Sequence, residues 1–443
     1  MMNSQHLQEG LPTHPHDSNR DYNWVAAFLI LSVIEGCFGK WISPSLEYLP
    51  VVIRDLVGLA IIYRAIVSNR FSQHPHLTTP LLLWSIALTI FAVIQALVNS
   101  FSPVIIIIGL RFWILYFWIT LAICCILREE DFRRLSALLI TLSIWMTPLL
   151  IIQNASGPDA WINKATSEDA LIFRLNDDVV RATGTFSFTS GFTSFLGLVG
   201  PILLAPAFAL GNAPDTKGAA KVELFLFIIF VVCTLVSGSR AAMIFSIALF
   251  VCSLATSLIT SHGSGQKNIA MAIVAIICAL LTPVVLPETS NAIETRFVSA
   301  NDSEDPAVRL RTVFVGSAKT WEDFTLGGEG LGLSANMTSH FLGANMAGTF
   351  MLSESEPERT LLAGGLFGLM WLAIKSVICL AGGAMAMKSA IFTRNALPIL
   401  LWMAAAYSLT SWSITGQLSA QSLCAILLAL AAASIGIVDK TRA

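Results

Sequence analysis

Residues 222–259 read VELFLFIIFVVCTLVSGSRAAMIFSIALFVCSLATSLI. The stretch is apolar on both sides of one polar tetrapeptide, Ser237-Gly238-Ser239-Arg240. A membrane crossing needs about 20 largely apolar residues and tolerates about 17 to 25. The whole stretch is too long for one helix, so the tetrapeptide predicts a break between two spans. Composition extends this reading to the rest of the chain. Charged residues are 12% and hydrophobic residues 55% of 443 positions, where soluble domains carry about 25% charge. Mean hydropathy is +0.73. The expectation is an all-α polytopic membrane protein with about twelve transmembrane helices. They are placed at 24–39, 50–67, 79–98, 103–127, 135–152, 188–210, 222–237, 241–259, 269–285, 361–380, 397–412 and 419–438. A net charge of −2 excludes a basic nucleic-acid binder.

Orientation follows from lysine and arginine in the short loops. With both termini cytoplasmic, the inner side holds thirteen: Arg20, Arg64, Arg70, Arg128, Arg133, Arg134, Lys217, Lys221, Lys267, Lys388, Arg394, Lys440 and Arg442. The outer short loops and breaks hold five: Lys40, Lys164, Arg174, Arg181 and Arg240. This divides the chain into a polar cytoplasmic tail at 1–22, expected to be disordered, and a membrane region at 23–286 with an outer loop at 153–187. A large, partly helical outer loop at 287–360 follows, and then a closing membrane region at 361–443. The two outer loops concentrate charge, while the inner loops are too short to hold a nucleotide-binding domain. No G-x-x-x-x-G-K-[ST] occurs, which argues against an ATP-driven machine. All eight cysteines fall inside expected spans and offer no disulfide framework.

Charge inside a span is costly and marks function or pairing. Here it is Glu35, Arg54, Asp55, Arg111 and Lys375. Arg54 and Asp55 lie about a turn inside the outer end of their span. Arg111 sits too deep to reach either surface, so it needs a carboxylate, with Glu35 and Asp55 as partners in reach, or a water-filled cavity to line. Lys375 is expected to extend its ammonium to the membrane surface, without a function.

Arg240 is placed differently. A helix beginning just after it presents free backbone N–H groups and a positive dipole end. Arginine adds a planar fork matched to phosphate oxygens, against the plainer reading of a serine cap beside a surface arginine. The loop 153–187 closes on Arg181-Ala182-Thr183-Gly184-Thr185-Phe186 and runs through a Ser/Thr/Gly-rich segment into the next span. In the large loop, 308–321 reads as one amphipathic helix carrying Arg309 and Arg311, with Leu310, Val313, Phe314 and Trp321 on one face. Gly327-Gly328-Glu329-Gly330-Leu331-Gly332 is a glycine-rich turn that follows no strand, so it does not read as a dinucleotide fingerprint. Glu354, Glu356, Glu358 and Arg359 crowd against the next span and read most simply as a solvated first turn. His340 is the one histidine on the outer side. The His-Pro-His pairs at 14–16 and 74–76 lack the companions of a metal site.

Taken in order, these segments resemble the O-antigen ligase and O-antigen polymerase superfamily of bacterial envelopes. The segment 181–186 resembles its R-x-x-G-T-F, and 237–240 its S/T-G-S-R between spans. Arg309 or Arg311, followed by Gly328-Glu329-Gly330-Leu331-Gly332, resembles its R…G-x-G-x-G in the large outer loop. Gly365-Leu366-Phe367-Gly368-Leu369 resembles its G-L-x-G-L. Where the family carries His-Asn before that last motif, this chain has Ser353-Glu354-Ser355-Glu356-Pro357-Glu358-Arg359.

The resemblance implies a GT-C-like architecture in the bacterial inner membrane. It also implies inverting glycosyl transfer at the periplasmic face, without metal or cofactor. The donor would be an oligosaccharide on a polyprenyl diphosphate carrier and the acceptor another glycan, making a polysaccharide repeat-unit polymerase. Arg181, Arg240, Arg309, Arg311 and Arg359 are the candidates for binding the diphosphate, with Arg240 also stabilising the departing charge. His340, Glu354 or Glu356 would take the acceptor proton, unless no protein base is needed; Arg111 is a cavity-lining candidate. Implied partners are the bilayer, polysaccharide export proteins and chain-length proteins, and no nucleic acid. The alternatives are a ligase acting on a lipid core, a transporter or flippase of lipid-linked oligosaccharide, and a non-catalytic scaffold. The two halves share no short motifs of the kind expected from a repeat-built transporter.

Overall fold

The computed structural model describes residues 15–99, 102–166, 180–211, 219–260, 306–338 and 355–436, with short pieces at 271–274, 276–277, 280–281 and 290–291. Every regular element among the described residues is helical. The main helices are α1 (Pro15–Val33), α2 (Leu49–Val67), α3 (Pro75–Asn99), α4 (Pro103–Ile126), α5 (Glu129–Ala155) and α6 (Thr189–Leu204). They continue as α7 (Ala219–Val236), α8 (Arg240–Thr260), α9 (Pro306–Val315), α10 (Glu356–Thr393), α11 (Leu397–Ser411) and α12 (Leu418–Ser434).

Among the described residues, α3, α4, α5 and α10 are long and apolar enough to cross a membrane. Arg20–Val33 followed by Glu35–Ile42, bent by 47°, makes a fifth when counted as one span. The other apolar helices, α6, α8, α11 and α12 among them, are shorter. The apolar surface points the way a bilayer requires: α3 leaves Leu82, Leu83, Ile86, Ile90, Leu97 and Val98 exposed, and α2 exposes Leu56, Leu59 and Ile66. At the centre stands α12, buried from Ser419 through Leu427 and packed against α1, α4, α6 and α11. The expected span at 269–285 and the tail at 1–14 lie mostly or wholly outside the described residues.

The break at 237–240 is where the local sequence places it. Helix α7 ends at Val236, Gly238 takes φ +57, and α8 begins at Arg240. Ser239 Oγ accepts from Ala242 N at 3.4 Å, the capping interaction expected of serine ahead of a helix.

Three sequence expectations need correction. Helix α1 begins at Pro15, inside the stretch read as a tail; an ion pair of Asp21 with Arg64 (2.7 Å) and the Arg134 guanidinium over Tyr22 (4.1 Å) hold its first turns to the bundle. The amphipathic run 308–321 is two helices: α9 stops at Val315, Gly316 adopts φ +84, and Ser317 caps a short helix at Ala318–Glu322.

The third correction is the largest. The span expected at 361–380 is instead preceded by a helical arm at 356–364 that folds back on the rest of α10. Gly365 has φ +49 and ψ −124, a conformation open to glycine and strained for other residues. Eight residues along a straight helix are about 12 Å apart, yet a Cβ placed on Gly368 would sit 2.1 Å from Thr360 O. Glu356 and Lys375 would be about 28 Å apart along a straight helix; here their charged atoms are 3.7 Å apart. The glycine-rich turn makes this reversal. Glu329 N donates to Leu362 O at 2.8 Å, Gly330 N to Ala363 O at 3.2 Å, and Leu366 N to Leu326 O at 2.9 Å. Gln95 of α3 closes the seam, donating to Gly327 O (2.6 Å) and Ala363 O (3.1 Å) and accepting from Leu331 N (3.1 Å).

Candidate functional site

Two buried polar networks meet at the first turn of α12. The first is made by the charges of α2, α4 and the short helix Glu35–Cys37 that follows α1. Arg54 is completely buried. Its guanidinium pairs with Glu35 and donates to Tyr116 Oη at 3.0 Å, Ser422 Oγ at 3.2 Å and Leu418 O at 3.4 Å. Ser419 donates to the other oxygen of Glu35. One residue further along α2, about 100° around the helix, Asp55 receives both arms of Arg111, Nε at 2.5 Å and Nη2 at 3.0 Å. Tyr116 Oη donates to Asp55 at 2.6 Å, and Arg111 Nη1 reaches Gln421 Oε1 at 3.3 Å. Arg111 opens a five-residue π-helical turn, Arg111–Leu115, whose widened backbone brings Arg111 and Tyr116 together on the same carboxylate.

Of its two readings, the ion pair is what the structure shows, and the water-filled cavity is not. It is ion-paired with Asp55, and it also lines a largely apolar groove of about 720 Å³ with Leu59, Ile62, Ile107, Ile114 and Trp118.

The second network belongs to the folded-back arm. Ser355 caps it, accepting from Glu358 N at 3.4 Å, and its charged residues point into protein rather than water. Glu356 is 1% exposed and Arg359 6%, so the solvated first turn expected from the sequence is not what forms. One oxygen of Glu356 accepts from Thr415 N (3.2 Å) and Thr415 Oγ1 (3.0 Å); the other faces Thr360 Oγ1 (3.4 Å) and Lys375 Nζ (3.7 Å). Arg359 donates to Ser334 O at 3.0 Å and Asn336 Oδ1 at 2.7 Å. It lies so close to Gly416 that a Cβ there would be 2.2 Å from Nη1. Glu358 accepts from Ser317 N at 3.0 Å, tying the arm to the loop that follows α9. Lys375, expected to reach the membrane surface, is 2% exposed and serves Glu356 instead.

The remaining candidates lie on three other segments. Segment 181–186 is locked by its backbone: Gly184 N donates to Gln153 Oε1 at 2.7 Å, and Thr185 Oγ1 donates to Val33 O at 2.5 Å. Asn154 Nδ2 donates to Val180 O at 3.2 Å. This leaves Arg181 half-buried. Arg240, also half-buried, starts α8, which packs against α6, α10 and α11. Arg311 is exposed on α9. The backbone of Arg309 belongs to α9, while its side chain, His340 and Glu354 lie outside the described residues. The structure thus brings Glu356 and Arg359 together and places Arg111 in the neighbouring network.

Outside the spans, burial and the nearby Asp323 push the Glu329 carboxyl above its usual range. The residues missed by sequence reasoning are Lys375 as a partner, Thr415, Asn336 and Tyr116. Only Lys375 carried a signal, a charge in an apolar run; the others are ordinary residues until the helices pack. No protein-family model, curated protein or solved structure matches the chain.

Proposed function

We propose that this chain is an inverting glycosyltransferase that moves a glycan from a polyprenyl diphosphate carrier onto an acceptor glycan, building a polysaccharide from repeat units. The observation that carries the reading is the folded-back arm. It takes Arg359 inside the helical bundle, 6% exposed, with Ser334 O and Asn336 Oδ1 accepting from its Nη1. Around that feature stand the ordered motifs of the sequence, with Arg181 and Arg240 half-buried. In this reading about twelve spans in a GT-C-like arrangement cross a bacterial inner membrane with both termini cytoplasmic, so the arm and both arginine segments face the periplasm.

The chemistry follows from the donor. No ATP is at hand outside that membrane, so the bond energy arrives as the glycosyl–diphosphate linkage. An acceptor hydroxyl attacks C1 as the C1–O bond to the diphosphate breaks, inverting C1. Negative charge grows on the departing lipid diphosphate and the hydroxyl proton passes to a base. Preorganised arginines stabilise that growing charge more than the ground state, which lowers the barrier. Arg240 and Arg181 contact the diphosphate in this scheme, with Arg309 or Arg311 joining from α9 and Arg359 holding the wall behind them. Glu356 has its oxygens occupied by Thr415, Thr360 and Lys375, so it positions the arm, and the base is sought at His340 or Glu354. Export and chain-length proteins would take the product.

The test is Arg240→Ala in a chain that still inserts and folds. Loss of both polymer production and lipid-diphosphate binding is expected. Survival of both would remove Arg240 from the site.

A further inference from the structure

Lys40 is a buried cation with no role in the scheme above. It sits in a second π-helical turn, Phe38–Ile42, and is 3% exposed. Its Nζ donates to Thr183 Oγ1 and, at 3.2 Å, to Gly184 O, both neutral. Arg54, Arg111 and Lys375 each have a carboxylate; among the described residues Lys40 has none. Glu35, five residues away in the chain, is taken by Arg54 and Ser419. An ammonium carries three N–H donors, so one remains after Thr183 and Gly184. The adjoining residue repeats the pattern, because Trp41 Nε1 is buried without an acceptor among the described residues. Burial pushes the Lys40 ammonium pKa down to about 7, because a buried charge without a counter-charge is costly, and an anion arriving at Nζ would hold its proton in place.

A second, independent feature adjoins the first. Lys40 Nζ is 5.8 Å from the centroid of the Trp41 ring, and that ring stacks on Trp161 at 6.1 Å with 29° between planes. Trp161 is 68% exposed. Indole faces pack against the C–H face of a pyranose ring, while indole N–H and ammonium groups bind its oxygens. A bare phosphate would neutralise Lys40 and leave the indole pair unused; a sugar that carries its own carboxylate uses both. We propose that Lys40, Trp41 and Trp161 form a binding site for an acidic saccharide, with the sugar ring on the Trp161–Trp41 pair and its carboxylate at Lys40 and the Trp41 N–H. The inference rests on the reading that this end of the protein handles glycans, and it specifies that the glycan carries a carboxylate-bearing sugar. Through Thr183 and Gly184 the same lysine holds the segment that starts at Arg181, so sugar recognition and that segment share one anchor.

The experiment is calorimetric titration of the full chain in lipid nanodiscs with tetragalacturonate, with neutral maltotetraose and with inorganic phosphate. Tetragalacturonate is expected to bind, and the neutral sugar about tenfold more weakly. Trp161→Ala should weaken tetragalacturonate about tenfold, and Lys40→Met by at least as much, with Lys40→Arg keeping most of the affinity. Trp161 is exposed, so its variant keeps the test decisive if Lys40→Met does not insert. The proposal is overturned by absence of tetragalacturonate binding, by equal binding of the neutral sugar, by phosphate competing as well as the saccharide, or by affinity indifferent to Trp161→Ala, which would leave that residue an interfacial anchor only. None of these readouts uses the lipid diphosphate, so their failure leaves the proposed reaction standing, and failure of the Arg240 test leaves this site standing.

Discussion

Arg54 has none of its surface in contact with solvent, and among the described residues Glu35 is the carboxylate it pairs with. Removing one member of such a pair strands the other, at about 3–5 kcal/mol, whereas replacing both with apolar residues of similar size is close to neutral. Glu35→Gln is therefore expected to lower the unfolding temperature in detergent more than Glu35→Leu combined with Arg54→Met; the reverse order would show that the pair is not what holds the turn after α1 to α2. Glu329 gives a pH prediction of opposite sign to most carboxylates. Its folded-state pKa is raised by burial and Asp323, so the folded protein binds that proton more tightly than the unfolded chain and loses stability as pH rises through the interval between the two values. Glu329→Gln should unfold at a higher temperature than the wild type at pH 8, with the difference closing toward pH 4. A gap that widens on acidification would contradict the shift. At this scale the sequence was readable for the buried charges inside the expected spans, Glu35 and Arg54 among them. It was not readable for the burial of Lys40, Glu356, Arg359 and Lys375, and it was unreadable for their pairing. Glu35 and Asp55 were both in reach of Arg111. The choice of Asp55 depends on α2 turning Arg54 and Asp55 toward different neighbours, and hydropathy does not specify that rotation.

The elements divide by whether their cause is local. The break between α7 and α8 is written in four consecutive residues, with Gly238 supplying the positive φ and Ser239 the cap. The folded-back arm of α10 has no such local signature, because its turn at Gly365 is completed by Leu326 and Gly328, far earlier in the chain. A Cβ on Gly365 would lie 2.4 Å from Leu326 O in a backbone conformation unfavourable to any L side chain. Gly365→Ala is expected to cost about 1–3 kcal/mol or more and to separate Glu356 from Lys375, measured by thermal unfolding and by the loss of a cross-link between cysteines placed at those two positions. Gly327→Ala is the control: a Cβ there meets nothing within 4 Å, and its unfolding should match the wild type. Equal behaviour of the two variants would remove the glycine turn from the account. The G-x-G-x-G stretch, legible as a motif, thus serves in this structure as a seam between backbones.

Across the whole molecule, what composition makes legible is the membrane, and what it leaves open is the number of crossings, since short and bent helices fall below any length threshold. The proposed orientation predicts that Trp161→Cys, in a chain whose eight cysteines are replaced by alanine, reacts with a membrane-impermeant maleimide in cells with only the outer envelope opened. Ser68→Cys, at the far end of α2, should react only after the inner membrane is permeabilised. The opposite pattern would invert the topology and place the arm in the cytoplasm. The most direct test of the central proposal is a reconstituted reaction. Purified protein in liposomes, given a polyprenyl diphosphate-linked oligosaccharide, should release polyprenyl diphosphate and lengthen the glycan with inversion at C1, and Arg240→Ala should slow this by about 10²–10³. Release and lengthening that do not occur with the wild type, or that proceed unchanged in Arg240→Ala, would contradict it.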